Sequence, residues 1–163
     1  MTSPTLLVVA ASTRPGRIGI HFARWFQERA GKHASFDVRF VDLAELDLPF
    51  FDEPRHPRLG QYEHQHIKDW SAIVDAADAV VFVSPEYNYG YNAVVKNALD
   101  FLHREWRDKA VGFVSYGGVA AGTRAVQQLK QIVTTLRMVP VFESVNIPFA
   151  AQFVDADGTR QRQ

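Results

Sequence analysis

Pro85-Glu86-Tyr87-Asn88-Tyr89-Gly90 stands between two stretches of different pattern. Before it runs Ala79-Val80-Val81-Phe82-Val83-Ser84, apolar without interruption, which reads as a buried strand. After it comes the helix-like run Ala93-Val94-Val95-Lys96-Asn97-Ala98-Leu99-Asp100-Phe101-Leu102. A strand, a loop and a helix in this order put the loop at the carboxyl edge of a parallel sheet, where open α/β folds bind their ligands. Pro85 removes a backbone donor and stiffens the loop. Two tyrosines and an asparagine are poor core residues but good walls for a flat, polar-edged ring. Taken alone, the stretch is equally well a turn with exposed aromatics.

A second junction lies upstream. Leu6-Leu7-Val8-Val9-Ala10 reads as a buried strand. Ala11-Ser12-Thr13-Arg14-Pro15-Gly16-Arg17-Ile18-Gly19 follows, and then a helix with Phe22, Trp25, Phe26 and Arg29/Ala30 at three- and four-residue steps. Backbone N–H groups at a helix start are unpaired and partly positive, which suits a phosphate. Ser12 and Thr13 offer hydroxyl donors, Arg14 can grip two phosphate oxygens at once, and Arg17 adds a second charge. Gly16 and Gly19 allow close backbone approach. The loop is neither Gly-x-x-x-x-Gly-Lys-Ser/Thr nor Gly-x-Gly-x-x-Gly, which argues against nucleoside-triphosphate hydrolysis and the usual dinucleotide fingerprint. It fits a terminal phosphomonoester, a group with nearly two charges near neutral pH. The plainer alternative is a solvated basic loop with a Ser/Thr cap.

The third loop, Ser115-Tyr116-Gly117-Gly118-Val119-Ala120-Ala121-Gly122, follows the strand-like Ala110-Val111-Gly112-Phe113-Val114. It precedes an amphipathic run with Val126, Leu129, Ile132, Val133 and Leu136 on one face. Gly117 and Gly118 would let main-chain N–H groups reach a ligand edge, and the helix start behind them favours negative charge. A glycine turn common to any α/β protein is the alternative.

Together the three loops resemble the NADPH-dependent FMN reductase family of the flavodoxin-like fold, which includes quinone, azo-dye and chromate reductases. The residues that carry the resemblance are Ser12-Thr13-Arg14-Pro15-Gly16-Arg17, Ser84 to Gly90, Val95-Lys96-Asn97-Ala98-Leu99-Asp100, Ser115-Tyr116-Gly117-Gly118 and Gly122-Thr123-Arg124-Ala125. They span roughly residues 5–150. Ala11 departs from the glycine with which the family opens its phosphate loop. The resemblance implies FMN, its phosphate held by Ser12, Thr13, Arg14, Arg17 and Ile18. Its ring would lie between Pro85, Glu86, Tyr87, Asn88 and Tyr89 on one side and Ser115, Tyr116, Gly117 and Gly118 on the other. It further implies NADPH or NADH as donor, hydride delivered to flavin N5, and a ping-pong cycle that ends on a quinone, azo, chromate or flavin acceptor. The flavin carries that chemistry, so no side chain is expected to be catalytic. Glu86 is expected to pair with a nearby cation or a backbone N–H. The rival from another class is a flavodoxin-type electron carrier. Carriers of that type are strongly acidic, whereas this chain is neutral.

The 163 residues suffice for a single domain with one sizeable core. Lys and Arg number 18 and so do Asp and Glu. Charge therefore points to neither nucleic acid nor a membrane surface, and the apolar runs are too short to span a bilayer. Met1-Thr2-Ser3-Pro4 opens no secretory signal. Cysteine is absent, which excludes disulfides and thiolate chemistry and is compatible with the cytoplasm. Six histidines are scattered. His64 and His66 are expected to face different ways on a helix, and no metal site is expected.

Strand starts near residues 5, 36, 79, 110 and 141, with helical patterns between, imply a doubly wound α/β sheet of five parallel strands in the order 2-1-3-4-5. Phe36 to Val41 alternates as an edge-side strand, and residues 62–77 carry a helical stripe. Val139-Pro140-Val141-Phe142 reads as a short fifth strand. Residues 43–61, with Pro49, Pro54 and Pro57, form a long connection. It walls the substrate pocket or a subunit contact, or is a surface loop pinned by buried Phe50 and Phe51. Trp106 reads as a surface anchor or subunit contact, with Arg104 or Arg107 near the NADPH 2′-phosphate. From residue 150 the chain turns into a polar tail with no apolar helical pattern, so the last helix of the fold is missing or something else covers strands 3 to 5. A homodimer or homotetramer is the expected cover.

Overall fold

The computed structural model describes residues 3–33 and 35–155. Five parallel strands, β1 Thr5–Ala10, β2 Asp37–Asp42, β3 Ala79–Pro85, β4 Ala110–Tyr116 and β5 Val139–Ile147, form one sheet in the order β2-β1-β3-β4-β5. This is the order that the alternation of elements implies. Between them lie the helices α1 Gly19–Lys32, α2 Leu43–Leu46, α3 Gln65–Asp75, α4 Ala93–Asp100 and α5 Thr123–Thr135. Strand side chains alternate across the sheet. Leu6, Val8, Val81, Val83 and Val114 pack with Phe22 and Ala23 of α1. Leu7, Val9, Val80 and Phe82 pack on the other face with Trp70 of α3, Leu99 of α4 and Leu129 of α5.

Four expectations need correction. Trp106 is fully buried. Its indole N–H donates to the Leu99 carbonyl at 3.1 Å, and its ring meets Trp70 edge-on at 5.9 Å. The charged neighbours Arg104, Glu105 and Arg107 hid a core residue, because the 3₁₀ turn Arg104–Trp106 buries both Trp106 and Glu105, the latter accepting from the Tyr62 and Ser71 hydroxyls. β5 is nine residues long, not four. Pairing jumps from Val111–Pro140 to Phe113–Ser144, so Val141, Phe142 and Glu143 stand opposite Gly112 alone. This bulge breaks the apolar alternation where the sequence pattern stops. Phe50 and Phe51 do not bury to pin their loop; Phe50 is 85% exposed. His64 is the extended N-cap of α3 rather than part of it, so its ring stacks on His66 at 5.3 Å and both approach Asp52.

After β5 the described chain makes a 3₁₀ turn, Ala150–Phe153, and no further helix. Ala150, Phe153 and Val154 pack on the α1 side of the sheet, so the supposed polar tail begins with residues that belong to the fold. Residues 156–163 of that tail lie outside the described residues. No helix among the described residues is long and apolar enough to cross a membrane.

Candidate functional site

The loop after β1 is a turn with a brace. Arg14-Pro15-Gly16-Arg17 closes with the Arg17 N–H on the Arg14 carbonyl at 3.0 Å. Gly16 sits at φ 70°, a sign that few residues but glycine adopt without strain after a proline. Parallel register sets Ala10 beside Asp42 at the strand ends. Asp42 thereby meets Arg17 in a two-pronged ion pair, both contacts at 2.5 Å. Arg17 also donates to the Ser12 carbonyl, and Asp42 accepts the Ala44 N–H at 3.0 Å. Burial opposes ionisation of Asp42. The Arg17 and Ala44 hydrogen bonds and the guanidinium charge outweigh it, and the carboxyl titrates below its ordinary value. The Asp42 hydrogen bond likewise raises Arg17. Arg17 is therefore committed to shaping the loop, whereas Arg14 is exposed and forms no ion pair among the described residues. No side chain caps the N-terminus of α1, and its first turn holds no acid. Its orphan N–H groups remain available to an anion.

The second and third loops stand side by side because register pairs Ser84 with Ser115 and Pro85 with Tyr116. The Glu86 N–H donates to the Tyr116 carbonyl at 3.3 Å. Tyr87 and Gly90 exchange two backbone hydrogen bonds around Asn88 and Tyr89, both at positive φ, which is the geometry of a type I′ turn. Helix α5 holds this turn. Arg124 donates through Nε to Glu86 at 2.6 Å and through its backbone N–H at 3.1 Å. Its guanidinium lies 3.6 Å from the Tyr89 ring centre. Glu86 thus takes the cation partner and the backbone N–H expected of it.

Tyr116 joins the third loop to the first. Its ring is buried against Phe22 at 5.2 Å, and its hydroxyl donates to the buried Ser12 Oγ at 3.1 Å. Burial pushes its hydroxyl up to about 12, so the group stays a neutral donor throughout the neutral range. Tyr116→Phe is expected to cost about 1 kcal/mol by leaving Ser12 Oγ without that donor. Urea unfolding at neutral pH measures it, and an unchanged midpoint would remove the coupling.

One cavity of about 460 Å³ is lined by all three loops: Arg14, Arg17 and Ile18, then Pro85, Glu86 and Tyr87, then Tyr116, Gly117 and Gly118. The other predicted residues fall elsewhere. Ser12 and Ser115 are buried behind the wall, and Ser115 Oγ is bonded to the Ala121 carbonyl and Asn146. Thr13 lines a different cavity. Asn88 and Tyr89 form the exposed turn tip and are absent from the lining. Phe149, Ala150, Ala151 and Gln152, which sequence reasoning missed, complete the wall. The Phe149 and Ala150 N–H groups donate to the Gly118 and Gly117 carbonyls at 3.1 and 2.9 Å. Ile147-Pro148-Phe149 was the available signal, an apolar stretch after the strand. The Gly117 N–H is taken by the Ile147 carbonyl at 3.2 Å, whereas the Gly118 N–H has no acceptor among the described residues. A Cβ built on Gly118 would meet nothing within 4 Å.

An open parallel sheet in this order, with a cavity lined by three loops at its carboxyl edge, defines the flavodoxin-like fold. Comparison with known proteins takes the assignment further. The chain belongs to the NADPH-dependent FMN reductase family, whose model matches residues 4–152. It is 39% identical over 150 residues to an NAD(P)H-dependent FMN reductase of Schizosaccharomyces pombe, covering 90% of this chain and 74% of that one. It is 39% identical over 138 residues to a probable NADPH:quinone oxidoreductase of Oryza sativa subsp. japonica, covering 80% and 66%. Among solved structures, a flavoenzyme NAD(P)H:(acceptor) oxidoreductase of Paracoccus denitrificans superposes with a TM-score of 0.74 at 24% identity over 98% of this chain and 87% of that one. At that identity the likeness speaks for the fold alone. Family membership makes the chain a flavoprotein oxidoreductase with FMN as cofactor and reduced nicotinamide as donor.

Proposed function

We propose that the protein is an NAD(P)H-dependent FMN reductase that passes two electrons to a small quinone, azo, chromate or flavin acceptor in a ping-pong cycle. One observation carries the reading: an uncapped helix start, an Arg14 with no ion pair among the described residues, and the walls Tyr87 and Gly118 all border one cavity. Arg14 and the α1 N-terminus would hold the phosphate, and Arg17 would keep the loop in shape. Ile18, Pro85 and Tyr87 would give the ring apolar faces, and the Gly118 N–H would meet its polar edge. When bound, FMN supplies two-electron transfer between nicotinamide and acceptor. The residues bind, orient and keep water out. A relative of Staphylococcus haemolyticus named FMN-dependent NADPH-azoreductase, 29% identical over 132 residues, keeps the azo class among the acceptors. Exposed Val139, Val141 and Phe142 on β5 support a homo-oligomer, and the absence of cysteine suits a cytoplasmic setting. Light scattering of the purified chain should give a mass of at least two copies.

Arg14→Ala is expected to weaken FMN by about 10- to 150-fold, the loss of charge-assisted contacts worth about 1.5–3 kcal/mol. Titration with FMN measures this, and unchanged affinity would remove Arg14 from the phosphate site. NADPH consumption by the FMN-loaded protein with an acceptor panel tests the whole reading. An electron carrier would oxidise no NADPH on its own.

A further inference from the structure

Gly122, the N-cap of α5, offers that helix no side-chain cap, and the first turn holds no acid. The acceptor comes instead from the second loop. Glu86 takes the Arg124 backbone N–H at 3.1 Å and its Nε–H at 2.6 Å. A further guanidinium nitrogen of Arg124 meets the same carboxylate. The Glu86 side chain is 7% exposed, so its charge faces the positive end of α5 and the guanidinium rather than water. The Glu86 hydrogen bond raises Arg124 above its ordinary value, which keeps it a cation. The neighbouring turn is fixed as well. The Arg124 guanidinium rests 3.6 Å from the Tyr89 ring centre, and Gln128 donates to the Tyr89 carbonyl at 2.9 Å. Asn88 and Tyr89 sit at φ 49° and 70°, left-handed values that such residues keep only where their surroundings impose them.

This pair borders the flavin cavity. Glu86 lines it beside Tyr87 and Gly117, and it is the one acid among the described residues of that lining. A Cβ built on Gly117 would lie 3.9 Å from Glu86 Cβ, so the carboxylate stem stands against the twin-glycine loop. Arg124 is absent from the lining and reaches the cavity only through Glu86. The cations of the lining are Arg14 and Arg17, and Arg17 already pairs with Asp42. Two electrons and one proton taken up by oxidised FMN leave its ring with one added negative charge. The energy of that charge depends on whether the anion on the wall is cancelled.

We infer that Glu86 and Arg124 form a charge pair that sets the reduction potential of the flavin, with Arg124 as the positioning residue that holds the Glu86 carboxylate and cancels its charge. The inference rests on the reductase reading above, since a flavin must occupy the cavity. Its test is one of sign. Glu86→Gln removes the anion, keeps an acceptor for the Arg124 N–H and leaves the cation, so the potential should rise. Arg124→Gln leaves the anion uncancelled, so the potential should fall. Each change is expected to be about tenfold in the ratio of reduced to oxidised FMN affinity, or about 30 mV for a two-electron couple. The double substitution is neutral again and should return close to the parent, and Arg124→Lys, which keeps the charge, should move the potential far less than Arg124→Gln. A spectroscopic titration of the FMN-loaded proteins against a reference dye, with xanthine and xanthine oxidase as reductant, reads these values. Potentials that move the same way in both single variants would reveal only the loss of a structural contact and overturn the pair; unchanged potentials would do the same. If Arg124→Gln does not fold, a rise in Glu86→Gln with little change in Arg124→Lys still supports the pair, and any other result overturns it. A protein that binds no FMN fells the reductase reading and the pair together. One that binds FMN but oxidises no NADPH fells the reductase activity alone, and the titration still decides the pair.

Discussion

Replacing Asp42 with alanine is expected to destabilise the protein by roughly 2–4 kcal/mol, chiefly by leaving the Arg17 guanidinium without its partner in a half-closed site. Asp42 is 4% exposed, and Arg17 shields it from the open side. The substitution removes both prongs of the ion pair and the acceptor that caps α2; the cap alone contributes about 1 kcal/mol. The phosphate loop then loses its brace, because Arg17 links β2 to the Ser12 carbonyl. FMN affinity should fall with stability, although Asp42 would not touch the ligand. Asp42→Asn keeps an acceptor for the Ala44 N–H and should retain the cap while losing the charge. Its loss should be intermediate. The pH dependence follows from the sign of the shift. The native carboxyl titrates below its ordinary value, near 3.8, so its contribution is full above that value. It falls away as acid takes the pH down through the lowered native value. Between the ordinary and the lowered value the wild type should shed stability that Asp42→Asn never had. Urea unfolding of both proteins from neutral pH down into the acid range measures this, and parallel curves would show that the pair contributes nothing.

What the sequence made legible was whatever depends on local pattern. Ala79 to Ser84 could only be a buried strand, and three strand–loop–helix junctions required a parallel sheet with its loops at one edge. Loop chemistry followed, since hydroxyls and arginines before one helix and twin glycines before another are local facts. What stayed hidden depends on register. Asp42 is an ordinary acid at the end of an ordinary strand until the β1–β2 pairing sets it beside Arg17, which it pairs with through both carboxylate oxygens. Trp106 looked exposed because charges surround it, yet its ring fills the space between Trp70 and Phe82. Ala150 to Gln152 looked like the start of a polar tail. Their place in the cavity wall depends on backbone bonds to Gly117 and Gly118, which leave no side-chain signature. The bulge opposite Gly112 likewise arises from pairing, and no reading of β5 alone would place it.

Gly122 and Gly118 lie four residues apart, yet alanine at each should act on different properties. Gly122 adopts φ 79°, where a side chain costs about 1–2 kcal/mol. A Cβ there would stand 2.9 Å from both Ser115 Cβ and the Tyr116 nitrogen. Both are fixed in β4, so relief must come from the start of α5, adding about 1–3 kcal/mol of overpacking. Gly122→Ala should therefore destabilise the protein without ligand by roughly 2–5 kcal/mol. It should also pull Arg124 from Glu86, because the helix start carries both Arg124 donors. Gly118 has neither constraint: its φ is not positive and its Cβ would meet no atom within 4 Å. Gly118→Ala should leave the ligand-free melting temperature unchanged, yet weaken FMN measurably, because the added methyl occupies the wall that the ring edge must approach. Thermal melts of both variants with and without FMN separate the effects. If Gly118→Ala binds FMN as tightly as the parent, the twin glycines do not face the ring and the flavin slot must lie elsewhere along the edge.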